Sequence, residues 1–105
     1  MEDPVLVRYL ECIRPVKEKI KKVYLFGSRA RGTARADSDY DLLLVVTPDF
    51  TSEDKSKLYD GVMEILLDTG RLVSLKIFKE SHFRKLCKMK TPFMQNVMTE
   101  GIQLG

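Results

Sequence analysis

The chain has 105 residues, 44% of them hydrophobic, enough for one modest core and too few for a second, so one domain spanning residues 1–105 is expected. No apolar run approaches the length of a membrane span, and the Met1-Glu2-Asp3 opening lacks the basic and apolar regions of a secretory signal, which together predict a cytoplasmic protein with no membrane contact. The formal charge of +3 is unevenly spread: Arg71 to Lys90 holds seven Arg or Lys against Glu80 alone, whereas Asp37 to Asp68 is acidic.

Leu6, Tyr9, Leu10, Ile13, Val16 and Ile20 recur at helical spacing, so the chain is expected to open with an amphipathic helix. Pro15 should kink that helix or begin a second short one, because proline lacks an amide donor and clashes with the preceding turn. Lys22 to Phe26 reads as a strand closing on a tight turn at Gly27, and Ser28 to Gly32 as a short helix. Tyr40 to Val46 is almost continuously apolar, as expected of a strand covered on both faces, and Pro48 stops it. Thr51 and Ser52 followed by Glu53 and Asp54 supply a cap and an acidic first turn for a helix running to Gly70, with Leu58, Val62, Ile65 and Leu66 inward.

Leu72 to Phe78 reads as a third strand, Ser81 to Cys87 as a helix, and Pro92 to Ile102 as a last helix capped by Thr91 with Phe93, Val97 and Ile102 inward. Strands separated by helices define an α/β or α+β sheet with helices packed on it, in the order α-β-α-β-α-β-α-α. Cys12 and Cys87 lack close metal-ligand spacing and read as reduced core thiols, and the single imidazole of His82 supports no metal site.

Chemistry concentrates between Gly27 and Asp41. Side chains two apart on a strand share a face, so Asp39 and Asp41 present their carboxylates together with Tyr40 turned away. Two such anions repel unless a cation lies between them, and hard oxygen ligands suit Mg²⁺ carrying nucleotide phosphates. Gly27 lets the backbone turn sharply and approach a ligand, Ser28 offers a hydroxyl and amides to a phosphate oxygen, and Arg29 and Arg31 add charge nearby.

Gly27-Ser28-Arg29-Ala30-Arg31-Gly32 followed by Ser38-Asp39-Tyr40-Asp41-Leu42 resembles the signature of the DNA polymerase β-like nucleotidyltransferase superfamily, with ten residues between Ser28 and Asp39 as in the superfamily's Gly-Ser and Asp-x-Asp pattern. The short chain and the Ala-Arg-Gly version of the motif resemble the minimal nucleotidyltransferases, or MNT proteins. That resemblance implies a small mixed sheet with flanking helices, binding of a nucleoside triphosphate with Mg²⁺, and a helical HEPN partner. In some such pairs the MNT protein is an antitoxin that adenylylates a tyrosine of the partner, so ATP is the expected nucleotide.

Active members of the superfamily usually carry a third carboxylate on a later strand, but Leu72-Val73-Ser74-Leu75-Lys76-Ile77-Phe78 contains none. By alternation Ser74 and Lys76 share a face, and either can occupy that place, with the Lys76 ammonium able to touch a phosphate or offset Asp39 and Asp41. Two readings follow: an enzyme that transfers a nucleotidyl group to a partner protein, or a nucleotide-binding or non-catalytic partner or antitoxin subunit. RNA contact by the basic C-terminal half is a minor third reading, without the aromatic platforms of RNA modules, and exposed helix faces leave oligomerisation open.

Overall fold

The almost continuously apolar run Tyr40–Val46 becomes the second of two interior strands, with Leu42, Leu43 and Leu44 all fully buried. A computed structural model describes residues 3–104. In it, β1 (Ile20–Phe26), β2 (Tyr40–Val46), β3 (Val73–Lys79) and β4 (Ile102–Leu104) form one mixed sheet in the order β3-β2-β1-β4. β2 runs antiparallel to β1 and parallel to β3, and β4 lies antiparallel on the other side of β1. The register sets Phe26 beside Asp41 on one flank, and Ser74 beside Asp41 and Lys76 beside Leu43 on the other.

Alternation along β2 feeds two cores. Leu42, Leu44 and Val46 join Leu6 and Tyr9 of α1 (Pro4–Cys12) and Leu58, Val62 and Ile65 of α3 (Ser52–Thr69) on one face. Leu43 and Val45 pack with Phe83 of α4 (Glu80–Met89) and with Met94 and Val97 of α5 (Pro92–Glu100) on the other. A sheet with helices on both faces buries each apolar face, so the expected α/β architecture of a small mixed sheet flanked by helices is the one formed.

α3 is capped at its N-terminus by its own sequence. The Thr51 hydroxyl accepts from the Asp54 amide at 3.1 Å while the Asp54 carboxylate accepts from the Thr51 amide at 2.9 Å, a reciprocal cap. Lys19 donates to the same carboxylate at 2.9 Å and, with the Thr51 amide, holds it down to about 2. Across the helix pair, the buried Tyr9 hydroxyl donates to the Leu58 carbonyl at 3.0 Å, so the phenol entering the core keeps its hydrogen bond.

The structure differs from the sequence expectation in where β1 begins and where the last helix ends, and at Pro15 it takes one of the two expected courses. Arg14–Lys19 forms a 3₁₀ helix with Pro15 in its first turn, so the proline begins a second short helix instead of kinking one long one. β1 begins at Ile20, two residues earlier than expected, and Ile20 therefore belongs to the sheet and not to a helical stripe. The last helix ends at Glu100: Gly101 is extended, with its amide donating to the Val97 carbonyl at 2.8 Å, and Ile102–Leu104 becomes β4. Ile102 and Leu104 still pack on the core, but through strand alternation along the edge of β1.

Candidate nucleotide and metal site

β1 delivers the chain to Gly27, which adopts φ 75° and ψ −158°, a backbone region open essentially to glycine alone. A Cβ built there would stand 2.5 Å from Asp41 Oδ2. The turn therefore lies directly against the second carboxylate, as the pairing of Phe26 with Asp41 requires. Gly27 also caps α2 (Ser28–Arg31), its carbonyl accepting from the amides of Ala30 and Arg31 at 3.1 and 3.2 Å.

Asp39 and Asp41 flank Tyr40 at the start of β2. Asp39 is exposed and Asp41 half-buried, while Tyr40 turns to the opposite face and is buried there, as alternation expects. The Tyr40 hydroxyl donates to Asp3 Oδ2 at 2.7 Å, and burial together with this bond pushes the phenol up to about 12. Burial, and next the Asp39 charge, hold the Asp41 carboxyl above the usual carboxylate range, while Lys76 and Arg31 pull it the other way. The two acids, the glycine turn, Arg31 and Lys76 thus meet at one rim of the sheet, with Ser28 one residue past the turn.

Arg29 has a different place from its expected neighbours. Its guanidinium donates to the Ser38 carbonyl through Nε at 3.0 Å and Nη2 at 2.8 Å, and to the Ala36 carbonyl at 3.1 Å, and it lies 3.8 Å above the Tyr40 ring. It clamps the loop at 33–39 and so fixes where Asp39 enters β2. The Ser38 hydroxyl closes the loop by accepting from the Arg35 amide at 2.8 Å. Arg31 pairs with Glu100 of α5 at 3.4 Å, which links the motif helix to the C-terminal segment.

Asp39 and Asp41 fit a hard divalent cation, because their like charges already act on each other and their oxygens are the donors such an ion takes. Among the described residues no group of three His, Cys, Asp or Glu forms a metal-holding set, so further ligands would come from phosphate or water. The position beside Asp41 on β3 is Ser74, and Lys76 follows on the same face. An apolar cleft of about 310 Å³ lined by Leu10, Ile13, Ile20 and Leu104 lies at the far end of β1 and includes none of these groups. The bond from Tyr40 to Asp3 and the carbonyls that receive Arg29 were not visible in the motif, since the fold alone joins them.

Two Methanocaldococcus jannaschii proteins carrying the name "Putative protein adenylyltransferase" are similar to this chain. MJ0604 is 36% identical over 83 residues, 79% of this chain and 76% of its own length. MJ0141 is 32% identical over 89 residues, 85% of this chain and 83% of its own length. In fold, the chain is similar to a component of a toxin–antitoxin crystallised with AMP-PNP, at a TM-score of 0.59 and 19% identity over 94% of this chain and 71% of that one. The family model for polymerase beta nucleotidyltransferases matches residues 11–104, a span that takes in the glycine turn, both aspartates and the whole sheet, and the chain belongs to that family.

Proposed function

We propose that this protein binds ATP with Mg²⁺ at the rim formed by Gly27, Ser28, Asp39 and Asp41, and transfers the adenylyl group to a hydroxyl of a partner protein. The observation that carries the reading is the Gly27 turn set against Asp41 with the Asp39 charge alongside, a cradle in which backbone and paired carboxylates face one space. Asp39 and Asp41 would hold the ion, whose chemistry is to neutralise phosphate charge during transfer. Gly27 admits a phosphate close to the backbone, Ser28 and Arg31 add a hydroxyl and a positive charge, and the Arg29 clamp keeps Asp39 in register with Asp41.

The acceptor hydroxyl oxygen forms a bond to the α-phosphorus as the bond to the bridging oxygen breaks; pyrophosphate leaves with the electron pair and the hydroxyl proton passes to solvent. Protein adenylylation is favoured by the names of the two relatives, and a toxin partner by the toxin–antitoxin whose fold is shared, while the helical HEPN kind of partner is what the resemblance of the motif implies. In that role the protein acts in the cytoplasm as an antitoxin; no described helix is long and apolar enough to cross a membrane.

Ser74 beside Asp41 supports a second reading, in which the site binds nucleotide and the protein serves as a partner without catalysis. Incubation with labelled ATP, Mg²⁺ and the product of the neighbouring gene separates the two. Covalent label on the partner that disappears in Asp39→Asn is the expected result. If no label forms but ATP with Mg²⁺ raises the melting temperature of the wild type and not of Asp39→Asn, the second reading holds. If neither occurs, nucleotide binding itself is wrong.

A further inference from the structure

We propose that this rim takes a single divalent cation with its nucleotide, and that the Lys76 ammonium is the second fixed positive charge on the triphosphate. The inference rests on the nucleotide-binding reading above and adds to it the ion count and the role of one lysine.

Four observations converge on it. Asp39 and Asp41 are left to hold an ion, since the Glu100 carboxylate that reaches Arg31 is taken up in that ion pair and no metal-holding group of three forms among the described residues. Both lateral neighbours of Asp41 on its face are poor ion ligands. On β1 it is Phe26, sealed edge-on against Phe93 with ring centroids 5.4 Å apart. On β3 it is Ser74, a neutral hydroxyl that gives a divalent ion little. One step further along that face stands Lys76, exposed, and its charge acts on Asp41.

The other two cations of the rim have protein partners. Arg29 is held by loop carbonyls and Arg31 by Glu100, whereas among the described residues no ion pair includes Lys76. An ammonium in that place repels a second divalent ion and at the same time supplies charge-assisted hydrogen bonds to phosphate oxygens. One ion on Asp39 and Asp41 and the Lys76 ammonium would therefore each offset part of the triphosphate charge.

The test counts ions and measures affinity, using Mn²⁺ with a non-hydrolysable ATP analogue on the full chain. Electron paramagnetic resonance at saturating analogue should find one bound Mn²⁺ per wild-type chain. Lys76→Met should weaken the analogue by about 10-fold or more, as expected for loss of a charged hydrogen-bond donor, while Lys76→Arg keeps most of the affinity. The double variant Ser74→Asp with Lys76→Met should take up two Mn²⁺. Lys76 is exposed, so its single variants retain the fold.

Two Mn²⁺ on the wild type would overturn the proposal. So would unchanged affinity in Lys76→Met, which would make Lys76 only a charge that discourages pairing at the β3 edge. Failure of the wild type to bind the analogue with Mn²⁺ at all marks a different failure, that of the nucleotide reading on which this one rests.

Discussion

Replacing Gly27 with alanine perturbs the backbone and the carboxylate site together. At φ 75° and ψ −158° a residue with a Cβ is strained, at a cost of about 1–3 kcal/mol. In a domain of this size that corresponds to a melting temperature lower by roughly 4–20 °C. The new methyl would also stand 2.5 Å from Asp41 Oδ2, whereas ordinary contact begins at 3.4 Å, so the carboxylate must retreat. The displacement is about 1 Å, and errors of that size at reacting groups cost on the order of 100-fold in rate.

Gly70→Ala is the control: its φ is 72°, but nothing lies within 4 Å of the added Cβ. It should cost about 1–2 kcal/mol of stability through the left-handed backbone alone and leave nucleotide affinity intact. Thermal denaturation and titration with Mg-ATP of both variants distinguish the two. If Gly27→Ala melts with Gly70→Ala and binds nucleotide like the wild type, the turn does not set the position of Asp41.

Other variants probe separate links. The folded Asp41 carboxyl lies above its unfolded value, so its protonated form favours folding below the unfolded value and that contribution is lost as pH rises through the folded one. Asp41→Asn without metal should therefore melt higher than wild type at pH 7 and alike at strongly acid pH; a lower melting temperature at pH 7 would refute the burial of this carboxylate beside Asp39 as a cost to folding. Asp54 has the opposite sign: held at about 2, it stabilises above the ordinary value of 3.8 and loses this as pH falls toward 2. Asp54→Asn should then lower the melting temperature at pH 7 but not below pH about 2, as a melting series across pH will show. Arg29→Met removes the loop clamp and should speed proteolysis within residues 33–39 and weaken Mg-ATP binding; a loop as resistant as the wild type would deny the clamp.

The local chemistry of the chain was legible where it acts over a few residues. The apolar run Leu42–Val46 of β2, the Thr51–Asp54 cap and the glycine ending β1 each announce an element because the signal and its cause are neighbours in sequence. β4 was hidden because Ile102 and Leu104 give a single period of alternation, too short a signal to announce a strand. The register was hidden too: alternation groups Ser74 with Lys76, but only strand pairing sets Ser74 beside Asp41. Arg29 shows the sharper limit, since a basic residue after a Gly-Ser turn reads as a phosphate ligand until the carbonyls of residues 35–38 fold back onto it.

Crystals of the protein soaked with ATP and Mg²⁺ test the central claim most directly. Density for the triphosphate against the backbone of Gly27 and Ser28, with a cation shared by Asp39 and Asp41, is the expected result. A nucleotide bound elsewhere on the sheet, or a triphosphate at the rim whose cation touches neither aspartate, would contradict it.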